Sequence, residues 1–458
     1  MVDNVLDYFY QISRIPRCSK NEDKIIKFIQ DWAISSAYRY KTDDLGNTLV
    51  VSGDKVRIIL QSHVDMVCEK RDDWLHDFKI DPIPIKSDGL FIYSDGTSLG
   101  ADNGIGMALS MYMMDYFRSQ RDDIALLFTV DEETGLNGAK GVDPSFLDAE
   151  YLINLDSEAD DTVIVGCAGG TDMIITRDLC KKTDSFVGRA IKISVSGFSG
   201  GHSGVDIDKG FGNAIKVLLE LLCELKIFDI SNIRGGTAHN AIPRFAEAVV
   251  CTDLDIDTIR GHFYDLTSKY NKDNPFVEIT IYKDKIHSIY DMREIIPSIK
   301  RLNHGVVTKL DDQFWNGVES SSNLAKIEVI EGADKIKVVE SLRSSSEIAM
   351  NNLKKLLEKE LNGFNFYYCC DYPGWKPDRD SLLLKETVDI YEKLFSIPPK
   401  VEVIHAGLEC GILKGKNEKL DIISIGPNIY SPHSPDERLQ IKSVDKIVKF
   451  LNRLLTDL

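Results

Sequence analysis

Three short, almost unbroken apolar runs constrain the fold of this chain most strongly. They are Val56-Arg-Ile-Ile-Leu60, Ile124-Ala-Leu-Leu-Phe-Thr-Val130 and Tyr151-Leu-Ile-Asn-Leu155. Runs of this length and composition predict strands that are buried on both faces. Because helical patterns lie between the runs, the sequence predicts an α/β fold in which helices cover a sheet.

The residues that follow these predicted strands carry the first functional signal. His63 and Asp65 come after the first run, Glu132 and Glu133 after the second, and Asp156 after the third. In sheets of this kind, ligands bind at the carboxyl ends of the strands. We therefore expect these side chains to line one site.

A glycine-rich segment, Gly100-Ala-Asp102-Asn-Gly-Ile-Gly106, supplies a further carboxylate. It precedes an apolar run that predicts a helix over Met107 to Tyr116. Asp102 could simply cap that helix. The glycines, however, let the backbone approach closely and adopt unusual dihedral angles, which suits a crowded site better than a core.

The side chains at these positions are of the types that zinc prefers as ligands. His63, Asp102, Glu133 and Asp156 are joined by His433, which lies in a loop rich in proline and serine. Two histidines and three carboxylates, one of them bridging, would give each of two metal ions three protein ligands and a shared water. Cobalt and manganese suit the same mixture of nitrogen and oxygen ligands.

Two carboxylates remain for other roles. Asp65 lies two residues after His63, so in an extended strand it faces the same side and can orient the imidazole. Glu132 and Glu133 are expected to point opposite ways at a strand end, so that one binds metal while the other acts as a general base. Alternatively, a pair of glutamates is a solvated charge run, and the His-x-Asp spacing arises often by chance.

The chain of 458 residues is too long for one ordinary domain. Near residue 187 the pattern changes to strands that alternate apolar and polar residues, beginning with Ala190–Ser196. We therefore expect a catalytic domain formed by residues 1–186 and 379–458, and an inserted α+β domain formed by residues 187–378. An internal duplication within the inserted domain is an open alternative.

Charge and hydropathy argue against several classes of partner. A net charge of −17 would repel the phosphates of a nucleic acid. No apolar run approaches 18 residues, so no membrane span is expected, and the N-terminus lacks the basic region of a signal peptide. The nine cysteines are scattered and odd in number, which favours reduced thiols in a cytoplasm. A homodimer through an edge strand of the inserted domain stays open.

Five motifs together resemble those of the co-catalytic zinc peptidases, the family that includes glutamate carboxypeptidase, aminoacylase and bacterial dipeptidases. They are His63-Val-Asp65-Met-Val, Gly100-Ala-Asp102-Asn-Gly-Ile-Gly, Asp131-Glu132-Glu133-Thr-Gly, Asn154-Leu-Asp156-Ser-Glu and Ser431-Pro-His433. The resemblance implies a zinc-peptidase sheet covered by helices, a large inserted lid domain, two Zn²⁺ per chain and the hydrolysis of small peptides.

The resemblance also implies which residue holds which ion. Asp102 would bridge the two zinc ions. His63 and Asp156 would complete one site, and Glu133 and His433 would complete the other.

The remaining roles follow from the same resemblance. Glu132 would be the general base, and Asp65 would orient His63 from behind. In the inserted domain, His202 would contact the scissile carbonyl oxygen, while Asn240 and Arg343 would bind the substrate carboxylate. Since the metal ligands and the carboxylate binders fall in different predicted domains, we expect domain closure to assemble the site.

Two further segments, His405-Ala-Gly-Leu-Glu-Cys-Gly411 and Thr237-Ala-His-Asn-Ala-Ile-Pro-Arg244, resemble the members of the family that cleave Xaa-His dipeptides such as β-Ala-His. By this resemblance Gly407 would lie along the substrate backbone, whereas the roles of His405 and Glu409 stay open. A broader dipeptidase, a tripeptidase or an N-acyl amino acid deacylase would share the metal site. A non-catalytic metal-binding relative would need neither Asp65 nor Glu132.

Overall fold

The computed structural model describes residues 1–183, 189–284, 286, 288–311, 316–330 and 332–458. Its helices are α1 (Val2–Ile12), α2 (Asp23–Ser35), α3 (Ala101–Phe117), α4 (Asn137–Gly141), α5 (Ala214–Glu224), α6 (Ile256–Thr267), α7 (Ile295–Arg301), α8 (Glu347–Glu358), α9 (Leu382–Phe395), α10 (Glu409–Lys416) and α11 (Ile441–Asp457), with a short 3₁₀ helix at Pro144–Leu147. Among the described residues, none of the helices combines the length and the apolar composition needed to cross a membrane.

The strands, in chain order, are β1 (Arg39–Thr42), β2 (Thr48–Val51), β3 (Ile58–His63), β4 (Ile85–Ser87), β5 (Phe91–Ser94), β6 (Ile124–Thr129), β7 (Tyr151–Asn154), β8 (Thr162–Cys167), β9 (Gly169–Asp178), β10 (Lys181–Thr183), β11 (Ala190–Ser196), β12 (Gly201–His202), β13 (Asp229–Gly235), β14 (Ala241–Ile242), β15 (Ala246–Cys251), β16 (Phe276–Ile281), β17 (Ile289–Asp291), β18 (Gly305–Asp311), β19 (Asn316–Ile330), β20 (Lys335–Ser344), β21 (Asn365–Tyr372), β22 (Lys400–Ile404), β23 (Asp421–Ser424), β24 (Ile429–Tyr430) and β25 (Arg438–Gln440).

The chain divides into two compact units. The first comprises Met1–Gly166, Trp375–Val403 and Leu408–Leu458, and the second comprises Cys167–Gly374 with Ile404–Gly407. The first predicted domain boundary, between residues 186 and 187, lies outside the described residues. That the inserted segment acts as a lid stays a prediction.

The first unit contains an eight-stranded sheet in the order β1-β2-β6-β3-β7-β23-β8-β22. Its central strands β6, β3, β7 and β23 are parallel, as expected of strands connected through helices. Every residue of β3 and β6 is buried, which explains why these runs are almost purely apolar. The predicted α/β class is therefore confirmed.

The second unit contains an eleven-stranded sheet whose main path is β16-β11-β15-β13-β19-β20-β9-β21. Within the described residues, the paired strands of this sheet run antiparallel. Helix α5 packs against β11 and β15, and its apolar side chains form a core with theirs. Strands β12 and β14 form a separate two-stranded sheet. Of the predicted substrate residues, His202 lies on β12, Asn240 directly precedes β14, and Arg343 lies on β20.

One pair of cysteines departs from the expectation of reduced thiols. Cys18 and Cys68 are 50 residues apart in sequence, but their Cα atoms lie 5.7 Å apart and their sulfurs form a disulfide. A β-bridge between Cys18 and Met66 brings the two segments together. The expectation is wrong for this pair because scattered spacing in the sequence does not reveal such a tertiary contact.

Candidate functional site

The carboxyl ends of β6, β3 and β7 meet at one edge of the first unit's sheet. The parallel register places His63 beside Thr129, and Gln61 beside Asn154. The chain segments that leave these strands therefore start next to one another. Asp65, the glutamate pair at 132–133 and Asp156 all lie on those segments, as predicted from the ends of the apolar runs.

Asp102 lies where helix α3 begins but does not cap it. Gly100 is the residue before the helix, and Asp102 and Asn103 depart from helical dihedral angles, with a cis peptide bond between them. The Asp102 carboxylate instead contacts two histidines. Its Oδ1 lies 3.0 Å from His63 Nε2, and its Oδ2 lies 2.9 Å from His433 Nε2.

The other two predicted ligands join the same cluster. Asp156 Oδ1 lies 3.3 Å from His63 Nε2, and Glu133 Oε2 lies 3.0 Å from His433 Nε2. Two groups result, His63 with Asp102 and Asp156, and Glu133 with Asp102 and His433. The ligand atoms within each group lie within 4.8 Å of one another. Asp102 is the member that both groups share.

The donor set fits a pair of divalent cations. Histidine nitrogens and carboxylate oxygens are suitable ligands for zinc, and also for cobalt and manganese. Glu133 Oε1 is buried and, among the described residues, accepts no hydrogen bond. A buried carboxylate oxygen without a donor is costly unless a cation binds it.

Burial also sets the proton affinities of the surrounding carboxylates. It raises the pKa of Glu132 well above the ordinary value, and it raises the pKa values of Glu133 and Asp156 as well. Nearby carboxylates add to each of these shifts. A group of acids that is crowded in this way favours cations in its midst.

Asp102 behaves differently from its neighbours. Burial raises its pKa, but hydrogen bonds with His433 and His63 outweigh burial and hold the pKa below its ordinary value. Conversely, hydrogen bonds with Asp102 and Glu133 raise the pKa of His433 to about 11. Asp102 is therefore a full anion placed between two imidazoles.

Asp65 supports more than the imidazole of His63. Its Oδ1 lies 3.4 Å from His63 Nδ1, and the orienting role stays a prediction. The same carboxylate accepts the backbone N–H groups of Glu132 and Glu133 at 3.0 and 3.2 Å, and the hydroxyl of Ser19 at 2.8 Å. It therefore joins the segment that follows β3 to the segment that follows β6.

The two glutamates do not lie on a strand end, so the reasoning that they alternate between faces is wrong. Strand β6 ends at Thr129, and Asp131 adopts a left-handed φ of 48°. Glu132 and Glu133 follow in a turn, where the period of two does not apply. Both nevertheless reach the cluster, since their side chains and His63 form a group within 4.8 Å.

In the second unit, His202 and Arg343 lie together. Arg343 Nη2 is 3.5 Å from His202 Nε2, and its Nη1 donates to the Tyr372 hydroxyl at 2.8 Å. His202 Nδ1 accepts the backbone N–H groups of Gly204 and Val205, each at 3.3 Å. The two backbone N–H groups require a lone pair on Nδ1, while the guanidinium of Arg343, which has only donors, lies beside Nε2.

Asn240 and Gly407 lie in the same unit. Asn240 and His202 both line a cavity of about 760 Å³. Gly407 packs against the ring of Tyr372, and a Cβ at this position would come within 2.7 Å of the ring. The ring therefore requires glycine at 407, irrespective of what else lies there.

Sequence reasoning missed some of the residues that surround the predicted site residues of each unit, and it left the roles of His405 and Glu409 open. Tyr372 bonds Arg343, while His405, whose role was left open, contacts the Ser321 hydroxyl through Nε2 at 2.7 Å. Glu409 accepts hydrogen bonds from Gln61 at 2.6 Å and from Thr129 at 2.8 Å. Two more, Arg17 and Glu437, contact the Asp102 loop. Only the clustering of polar residues near strand ends could have hinted at Gln61 and Thr129.

Comparison with known proteins decides the family. The family model described as peptidase family M20/M25/M40 matches residues 59–457. The chain belongs to this peptidase family. It is thus an enzyme that hydrolyses peptide bonds, and the family resemblance stated from the sequence motifs is confirmed.

Individual members of the M20 family match almost the whole chain. The cytosol non-specific dipeptidase of Escherichia coli is 32% identical over 473 aligned positions, covering 99% of this chain and 97% of the relative. The crystal structure of aminoacylhistidine dipeptidase from Vibrio alginolyticus superposes with a TM-score of 0.83 at 31% identity, covering 98% of this chain and 96% of that one.

A more distant structure shares the fold. Aminopeptidase PepT from Bacillus cereus superposes with a TM-score of 0.60 at 15% identity, covering 99% of this chain and 98% of that one. At this identity the likeness concerns the fold alone.

Proposed function

We propose that this M20 peptidase is a metal-dependent dipeptidase that hydrolyses Xaa-His peptides, including β-Ala-His, with two zinc ions per chain. The observation that carries the proposal is the sharing of Asp102 between two groups of potential ligands. The likeness to a Vibrio enzyme described as an aminoacylhistidine dipeptidase supports the choice of substrate.

The five proposed metal ligands are His63, Asp102, Glu133, Asp156 and His433. When bound, the zinc ions would polarise the scissile carbonyl and lower the pKa of the attacking water molecule. Cobalt or manganese would suit the same donors.

Glu132 is the proposed general base. It would take a proton from the attacking water and pass it to the leaving amine. Burial raises its pKa well above that of an ordinary glutamate, which brings a carboxylate nearer to the pKa at which a base works best at neutral pH. Asp65 accepts the backbone N–H of Glu132 and so holds the base in its turn.

His202, Asn240, Arg343 and Gly407 are the proposed substrate residues of the second unit. His202, as a neutral or protonated donor, would stabilise the oxyanion that develops on the scissile carbonyl, an interaction worth about 3–4 kcal/mol in comparable sites. Arg343 and Asn240 would bind the free carboxylate of the peptide, for which the planar guanidinium is well shaped. Gly407 would lie along the substrate backbone.

We also propose a cytoplasmic location and a homodimer formed through the second unit. The relative described as a cytosol enzyme supports the first. Strand β16, whose Phe276 and Ile281 are exposed at the edge of the eleven-stranded sheet, supports the second. Fractionation of the native cells tests the location, and sedimentation of the purified chain tests the homodimer.

A broader-specificity dipeptidase is the second candidate. It is favoured by the Escherichia coli relative, which is described as non-specific and matches the whole chain. A tripeptidase or an N-acyl amino acid deacylase would share the metal cluster and differ in the residues around the substrate side chains. The match to a family model described as a peptidase family disfavours a metal-binding protein without catalysis.

A panel of substrates, assayed before and after removal of metal, tests the proposal. We expect hydrolysis of β-Ala-His and Gly-His to exceed that of Leu-Gly, a tripeptide and N-acetyl amino acids. Chelation should abolish all hydrolysis, and Zn²⁺ should restore it.

Each outcome of the panel has one meaning. Equal rates on Leu-Gly and Gly-His would favour the broader dipeptidase. Preference for the tripeptide or for an N-acetyl amino acid would favour the sister activities. Full activity after complete removal of metal would contradict the proposed mechanism.

A further inference from the structure

Glu437 is buried against the backbone of the Asp102 loop. Its side chain is 2% exposed. Oε2 accepts the N–H groups of Leu99 and Gly100, both at 2.8 Å, and Oε1 accepts those of Ala101 and Asp102 at 2.7 and 3.2 Å. One carboxylate therefore satisfies four consecutive amides.

These amides have a defined place in the fold. They lead into helix α3, and the first N–H groups of a helix have no partner within the helix itself. Left unsatisfied in a buried position, each would carry the full penalty of its desolvation. The carboxylate of Glu437 supplies all four partners and sets the course of the backbone up to Asp102 itself.

Arg17 contacts the same loop through its carbonyl groups. The side chain is 1% exposed. Nη1 donates to the carbonyl oxygens of Val64 and Asp65, each at 2.9 Å, and Nη2 donates to the carbonyl oxygen of Gly100. The guanidinium thus connects the segment that follows His63 to the segment that precedes Asp102.

The glycines of the loop leave room for this guanidinium. A Cβ at Gly100 or at Gly104 would come within 2.6 Å of Arg17 Nη2. Gly100 also has a φ of +68°, which favours glycine for a second reason. The space around the Asp102 loop is therefore filled by a buried arginine.

Both contacts join segments that carry proposed metal ligands. Glu437 lies four residues after His433 and holds the backbone of Asp102. Arg17 holds the carbonyl next to His63 and the carbonyl of Gly100. The carboxylate of Glu437 and the guanidinium of Arg17 therefore connect the three segments whose side chains meet at the Asp102 carboxylate.

We propose that Glu437 and Arg17 are positioning residues that hold Asp102 with one carboxylate oxygen facing His63 and the other facing His433. The proposal rests on the metal cluster of the proposed function. Neither residue supplies an atom to the substrate or to the ions. Their effect is to fix the orientation of the shared carboxylate, on which the occupancy of both ion sites depends.

The decisive variant is Glu437→Gln. The amide keeps the size of the side chain and can accept from one pair of backbone N–H groups, but it turns an NH₂ group toward the other pair. The probe is Zn²⁺ alone, titrated into metal-free protein in competition with a chromophoric chelator. We expect Zn²⁺ affinity to fall about 10- to 100-fold, the range found when residues that support metal ligands are replaced.

Glu340→Gln is the matched control. Glu340 is 0% exposed and accepts a hydrogen bond from Ser322, but it lies in the second unit and contacts none of the proposed ligands. We expect this variant to bind Zn²⁺ as the unchanged chain does. Arg17→Lys is the second test variant, because lysine keeps the charge but cannot contact three carbonyl groups in a planar fork.

The outcomes separate this proposal from the proposed function. An unchanged chain that fails to bind two Zn²⁺ would defeat the proposed function itself. If it binds two, and folded Glu437→Gln binds them with unchanged affinity, the positioning role is overturned. Should Glu437→Gln fail to fold, Arg17→Lys decides, and unchanged affinity in that variant overturns the proposal. A lower melting temperature without a change in affinity would mean that these residues act on stability alone.

Discussion

Asp102 differs from the other proposed ligands because it belongs to both groups. Its two oxygens contact different histidines, His63 at 3.0 Å and His433 at 2.9 Å. By contrast, His63 and Glu133 each have a place in only one of the two groups that share Asp102. The consequences of replacing these residues should therefore differ in kind.

We expect Asp102→Ala to abolish the binding of both zinc ions, whereas His63→Ala should chiefly weaken one. Elemental analysis after gel filtration in zinc-free buffer measures this directly. Asp102→Ala should retain close to none of the metal, and His63→Ala close to half. A folded Asp102→Ala chain that keeps one ion at unchanged affinity would show that the carboxylate is not shared.

The origin of the Asp102 geometry illustrates what could not be read from the sequence. The glycines indicated a close approach of backbone, and this interpretation agrees with the structure. That the approaching group is the guanidinium of Arg17 was not predictable, because Arg17 is more than 80 positions distant from Gly100 and nothing in its neighbours marks it. Glu437 lay within the loop already singled out for His433, but its four amide partners become visible only in the fold.

The strands of the first unit were the most predictable elements. β3, β6 and β7 were expected from unbroken apolar runs, and the polar residues after them do meet at one edge. The register beneath the site was not predictable. Gln61 donates to Glu409 and accepts from Asn154 at 2.6 Å, so a buried polar row connects β3, β7 and α10 below the cluster.

In the second unit, β19, β20 and helix α5 enclose another buried acid, Glu340. Burial raises its pKa to about 8, although a hydrogen bond from Ser322 and the charge of Lys216 oppose this shift. The folded chain therefore retains a proton that an unfolded glutamate gives up near pH 4.5. The contribution of Glu340 to the free energy of unfolding must therefore fall as pH rises from about 4.5 to about 8. Its slope is at most about 1.4 kcal/mol per pH unit.

We expect Glu340→Gln to remove this dependence, because glutamine carries no titrating proton. Thermal unfolding at pH 5.5 and at pH 8 measures the effect. The melting temperature of Glu340→Gln minus that of the unchanged chain should be larger at pH 8 than at pH 5.5. A difference that is the same at both pH values would show that Glu340 is already ionised in the fold.

For the chain as a whole, the α/β class and the membership of a peptidase family were predictable, and β11 was expected with the bounds that it has, Ala190–Ser196. The strands β8 and β9, at Thr162–Cys167 and Gly169–Asp178, were not identified. β9 mixes glycine, threonine, aspartate and arginine, and it pairs with β20 and β21, which lie more than 150 positions away. Such a strand is determined by its partners, which local pattern does not reveal.

The candidate site was more predictable than the fold around it. All five proposed ligands came from residue type and position after strands or in marked loops, and the structure brings them into two overlapping groups. Tyr372 was missed because its contact with Arg343 depends on the pairing of distant strands of the second unit. Chemistry restricts which side chains can form a metal site, whereas many side chains can support one.

We propose that Glu132 activates water beside a pair of metal ions that it does not itself bind. Glu132→Ala tests it directly, through zinc content and turnover of β-Ala-His measured on the same preparation. Glu150→Ala, which removes an exposed glutamate paired with Arg57 in the same unit, is the control. We expect Glu132→Ala to bind two zinc ions per chain while kcat falls roughly 10²- to 10⁴-fold. Hydrolysis at the unchanged rate with both ions bound would show that Glu132 is not the general base.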